Sequence, residues 1–113
     1  MNTENLRKVR DHIASLPPEQ VNMGVLVGER SCGTVACVAG WAGVLSGGVN
    51  AQLWLNIGYD DADKLFTPPG WRTDNRRRVE HTKRYPKARV VATLDHLIET
   101  GEVDWDAHKR VAS

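Results

Sequence analysis

Two thiols, four imidazoles and a short run of carboxylates are the groups of this 113-residue chain best equipped for chemistry. Cys32 and Cys37 lie in SCGTVACVAGWAG, residues 31–43. Joined by two of His12, His81, His96 and His108, they would supply the S₂N₂ set of a tetrahedral zinc site. The pattern is thin: one C-x₄-C pair, no second tight pair, and histidines spread along the chain. His12 falls in the first expected helix and His96 in the last, so a bundle could bring either to the cysteines. Cys32 at a helix N-terminus would have its thiolate favoured by the helix dipole. Catalysis needs a base and an orienting group as well, and no feature pairs a histidine with it. Asp60, Asp61 and Asp63 cluster at one helix start, DWD at 104–106 stands apart, and no glycine-rich phosphate loop accompanies them. The expectation is a non-enzymatic protein, with no catalytic residue, no metal and no cofactor assigned.

Packing accounts for the cysteine segment more simply. In a helix, Val35, Val38, Ala39, Ala42 and Leu45 cover one face, with Ala36, Gly40 and Gly43 close to another. Glycine inside a helix costs about 1 kcal/mol relative to alanine, so Gly33, Gly40 and Gly43 call for a reason. Small side chains let neighbouring helix axes approach closer than the usual ~8–10 Å, and cysteine serves as a small hydrophobe. The segment predicts a central helix over 34–45, capped by Ser31, Cys32 or Thr34 and stopped by SGG at 46–48. On one helix the two cysteine Cα atoms would stand roughly 8–9 Å apart, beyond the ~7 Å reach of a disulfide.

The elements that must position these groups are mostly helical. Leu6, Val9, Ile13 and Leu16 recur at helical spacing behind an Asn2 or Thr3 cap, and Pro17 and Pro18 close that helix. Residues 21–28 predict an extended connection, because a lone strand would have no partner. Asn50 opens a short helix stopped by Gly58. Asp60 caps a second short one that ends at Pro68 and Pro69. Pro86 suits the first turn of a last long helix with Val90, Val91, Leu94, Leu97 and Ile98 on its apolar face and Gly101 as its stop. The sum is an all-α fold: one compact bundle of about five helices, two of them short, spanning 1–113. Residues 70–85 form a basic loop, and a tail over 102–113 has Val103 and Trp105 available to fold back.

Net charge is +1, but residues 72–89 hold eight of the fifteen Lys/Arg and only two acids. That segment carries +6 and the other 95 residues −5. Trp71, Arg72, Arg76, Arg77, Arg78, Lys83, Arg84 and Tyr85, with Trp105 from the tail, are the candidate partner-binding residues. Arginine beside exposed tryptophan is typical of binding hot spots. A host protein with an acidic surface suits this set. Nucleic acid is the alternative, through phosphate contacts and base stacking, although the acidity of the rest would oppose it. A helix-turn-helix around LNIGYDDADKLF is rejected, because its second helix would present Asp60, Asp61 and Asp63 to phosphates. The opening MNTENLRKVRDHIASL lacks the apolar core of a signal peptide. The uncharged apolar run Val35–Leu45 is far shorter than the ~20 residues that span a bilayer. The chain reads as cytoplasmic, without a membrane partner, and its oligomeric state is left open.

In order along the chain, CGTVACVAGWA, LNIGYDDADKLFTP and LDHLIETGEVDW, with the opening LRKVRDHIASLPPEQVNM, resemble small uncharacterised proteins of actinobacterial phages and their hosts. The resemblance covers most of the chain and is weakest over residues 70–85. It implies a phage accessory context, in which small proteins act by binding a host component, and it transfers no catalytic residue.

Overall fold

The computed structural model describes residues 1–21, 23, 27–30, 33–67 and 85–111. Helix α1, Thr3–Ser15, forms because Leu6, Val9 and Ile13 fall on one face. The Asn2 side chain accepts the Asn5 N–H at 3.0 Å, satisfying one orphan donor of the first turn. All three apolar side chains are fully buried, each contributing about 1.5–3 kcal/mol. A 3-10 turn, Pro18–Gln20, begins on the second of the two prolines.

Beyond it the sequence expectation is corrected. Strands β1 (Val27–Arg30) and β2 (Gly33–Ala36) pair antiparallel, Val27 opposite Ala36 and Arg30 opposite Gly33. The extended segment therefore does find a partner. It is the front of the stretch read as helix, where β-branched Thr34 and Val35 suit a strand. A two-stranded hairpin is marginal alone, and here β2 lies against the 3-10 turn.

Helix α2 is accordingly shorter than expected, Val38–Leu45, with Cys37 as its N-cap residue. Its C-terminus follows expectation closely. Gly47 and Gly48 take φ of +75° and +99°. The Gly48 N–H reaches the Gly43 carbonyl at 2.9 Å and the Gly47 N–H that of Val44 at 3.3 Å, which is a Schellman motif. Close helix approach explains only part of the small-residue content. Ala42 and Gly40 are buried, but a Cβ on Gly43 would meet nothing within 4 Å, and Gly33 belongs to β2. Leu45, placed on the inner face by the helical reading, is exposed.

Helix α3, Ala51–Leu55, is capped by Asn50, whose side chain accepts from Gln52 and Leu53. It stops at Asn56 in the left-handed region (φ +53°), two residues before the expected Gly58. Helix α4, Tyr59–Phe66, starts behind Gly58, so Asp60 sits in its first turn rather than capping it. Helix α5, Lys87–Thr100, buries Val90, Leu94 and Leu97, and Gly101 ends it at φ +78°. A short helix not foreseen from sequence, α6 (Ala107–Val111), closes the described chain.

This is a small all-α domain, carrying one short hairpin. Its core joins α1, α2 and α5 through Leu6, Ile13, Val38, Trp41, Leu94 and Leu97, with Tyr85 and Trp105 sealing one side. A radius of gyration of 12.9 Å matches the ~13 Å typical of a compact chain near 100 residues.

Candidate functional site

The described part of the basic segment is structural. Lys87 Nζ donates to the carbonyls of Ala14 at 3.0 Å and Leu16 at 2.9 Å. It thereby fills the vacant acceptors at the C-terminus of α1, where a cation also meets the negative end of the dipole. Arg89 Nε donates to the Trp105 carbonyl at 2.7 Å and Nη2 approaches Asp106 Oδ1 at 3.4 Å. Its guanidinium carbon lies 5.0 Å from the centre of the Tyr85 ring, a cation–π distance.

Two of the expected partner-binding residues are corrected to core residues. Tyr85 is fully buried and Trp105 is 5 % exposed. Their rings meet edge to face at 5.3 Å, and Trp105 Nε1 donates to the Lys64 carbonyl at 2.7 Å. A tail and a loop border looked exposed in sequence because neither carries a periodic apolar pattern. Trp71, Arg72, Arg76, Arg77, Arg78, Lys83 and Arg84 lie outside the described residues.

Of the two candidate thiols, the described residues include Cys37 alone. Cys37 is buried, and burial pushes its thiol pKa up, against the backbone N–H groups of Gly40 and Ala39 that favour the thiolate. A thiol held protonated is a poor nucleophile. Cys32 and His81 lie outside the described residues. His12 packs edge to face on Trp41 at 4.8 Å, and its Nε2 is buried with no hydrogen-bond partner among the described residues. Among those residues, no group of three or more His, Cys, Asp or Glu is placed to hold a metal ion. No helix among them is long and apolar enough to cross a membrane.

One surface was missed in the sequence reading. Helices α2, α3 and α4 enclose an open groove of about 480 Å³, with Ala39, Ala51, Ala62 and Phe66 as apolar lining and Tyr59 and Asp63 at its edge. Tyr59 in its lining is 83 % exposed, and α2, α3 and the connection between them also leave Val44, Leu45, Val49 and Leu53 exposed. A sequence signal existed, since residues 31–59 contain no Asp, Glu, Lys or Arg. A second groove of about 440 Å³ joins α4 to the segment after α5. It mixes Asp63, Asp104 and Asp106 with Lys64 and Arg89 around Trp105. Compared with models of known families, with curated proteins and with solved structures, the chain gives no match.

Proposed function

We propose that this chain is a non-enzymatic accessory protein of phage type that binds a host protein in the cytoplasm through its basic segment. The observation that supports it most is charge segregation. With Lys87 and Arg89 committed to holding the fold, residues 72–84 still carry six Lys/Arg against two acids. The remaining hundred residues sum to −3. An acidic protein surface complements that segment, whereas the acidic remainder of the molecule repels a polyanion such as DNA. Arg72, Arg76, Arg77, Arg78, Lys83 and Arg84 supply the cations and Trp71 an aromatic anchor. Tyr85 and Trp105 no longer belong to the contact set.

The test is capture from host lysate with wild type and an Arg76/Arg77/Arg78→Ala triple variant. Loss of one protein partner with the variant, at unchanged thermal unfolding, supports the reading. Equal recovery of every partner by both forms sinks it. Retention of nucleic acid instead, falling steeply between ~50 and 200 mM salt through counterion release, would transfer the segment to that class.

A further inference from the structure

We propose that the groove between α2, α3 and α4 is a second docking site, which takes an amphipathic peptide segment of another protein carrying a lysine or arginine beside an apolar anchor. The apolar half of that ligand follows from what the surface exposes. Tyr59, which lines the groove, is 83 % exposed, the highest value among the exposed large hydrophobic side chains of the described residues. Folding leaves that ring in water although Ala51, Ala62 and Phe66 beside it provide a receptive concavity. Contiguous exposed apolar surface rimmed by polar groups marks an interaction site more often than chance.

The cationic half follows from charge. From residue 31 to residue 59 the chain has no ionisable Asp, Glu, Lys or Arg side chain, and the residues lining the groove include one charge, Asp63. Asp60 stands one turn before it at the start of α4. Tyr59, Asp63 and Phe66 are spaced i, i+4 and i+7, so a carboxylate lies between two rings on one helix face. Asp63 Oδ1 accepts from the Thr67 hydroxyl at 3.2 Å, and Asp63 has no ion-pair partner among the described residues. An ammonium or guanidinium group entering there meets a counter-ion and aromatic faces together. A helix presenting apolar residues and a cation at i, i+3 or i+4 fits a groove of this kind. A second copy does not fit it. Two-fold pairing through the same face would bring Asp60 and Asp63 of both copies together with no cation in the groove lining.

The experiment is selection of a displayed random 12-residue peptide library on the folded protein, followed by fluorescence polarisation of an enriched peptide. Enriched sequences are expected to combine Leu, Ile or Phe with Lys or Arg. Their affinity should fall about tenfold or more in Asp63→Asn, the loss expected when a charge-assisted contact is removed. It should fall in Tyr59→Ala and be retained in Tyr59→Phe. Tyr59 and Asp63 are exposed, so unchanged thermal unfolding of these variants is the folding control. The Arg76/Arg77/Arg78→Ala variant should bind the peptide like wild type, which separates this site from the basic segment. Absence of enrichment, enrichment of acidic peptides, or equal binding by Asp63→Asn and Tyr59→Ala would overturn the proposal. So would a solution dimer of wild type that Leu53→Asp dissociates, which would give the face to a second copy.

Discussion

Lys87 Nζ lies 2.9 Å from the carbonyl oxygen of Leu16, joining the first turn of α5 to the C-cap residue of α1 across 71 positions of sequence. A residue counted by composition as part of a basic surface is thus a helix cap supplied from a distance. Lys87→Met keeps the stem and removes both donated bonds, leaving the Ala14 and Leu16 carbonyls partly buried. Urea unfolding should show a loss of about 1–2 kcal/mol, in the range for hydrogen bonds from charged donors. Lys87→Arg should recover part of it.

Trp105 fixes the last segment to the body by packing and by its bond to Lys64. Trp105→Ala empties a site that is 5 % exposed and should cost about 3–5 kcal/mol, a large share of the ~5–15 kcal/mol that typical domains possess. Trp105→Phe retains most of the packing but orphans the Lys64 carbonyl, so its loss should be smaller, about 1–3 kcal/mol. The order Ala below Phe below wild type in denaturation midpoint is the check.

Two glycines five residues apart should respond with opposite signs. Gly43 lies inside α2 with open space around a built Cβ, so Gly43→Ala should stabilise by up to about 1 kcal/mol through helix propensity. Gly48 holds φ +99°, where a side chain is strained, and Gly48→Ala should destabilise by about 1–3 kcal/mol. Thermal unfolding of the two variants side by side decides it.

Burial raises the Cys37 pKa, so the folded state holds that proton more tightly than the unfolded chain does. The stability it contributes is complete below the unfolded thiol value of about 8.5. It declines as pH climbs above that value, because the unfolded chain ionises first. In a Cys32→Ser background, wild-type Cys37 should therefore lose more stability between pH 7.5 and 10 than Cys37→Ala, as measured by urea midpoints. Iodoacetamide should label Cys37 slowly until denaturant is added. Labelling at the rate of a free thiol in the native protein would contradict its burial.

Local signals carried the helices that have their own caps and stripes. Asn2, Asn50, the Gly47–Gly48 stop, Gly101 and the Leu6–Val9–Ile13 face all act within a turn or two of sequence. The hairpin was not visible, because Gly33–Ala36 is made of residues acceptable in either helix or strand and its partner is a separate stretch, Val27–Arg30. The roles of Lys87, Arg89, Tyr85 and Trp105 depend on pairings between distant positions, which no periodicity reports. Reading Arg and Lys by count alone therefore overstated the free basic surface by two cations. The groove escaped attention for a different reason: its exposed Tyr59 looks like a core residue until burial is known.

Because Trp105 follows helices α1 to α5 in sequence, the hydrophobic interior that those helices form stays open on one side until the segment after α5 docks. A nascent chain halted after α5 would present Tyr85 and the underside of α4 to chaperones and proteases, which favour such exposed faces. Docking of that segment, rather than formation of any single helix, is then the event that commits this protein to its mature shape.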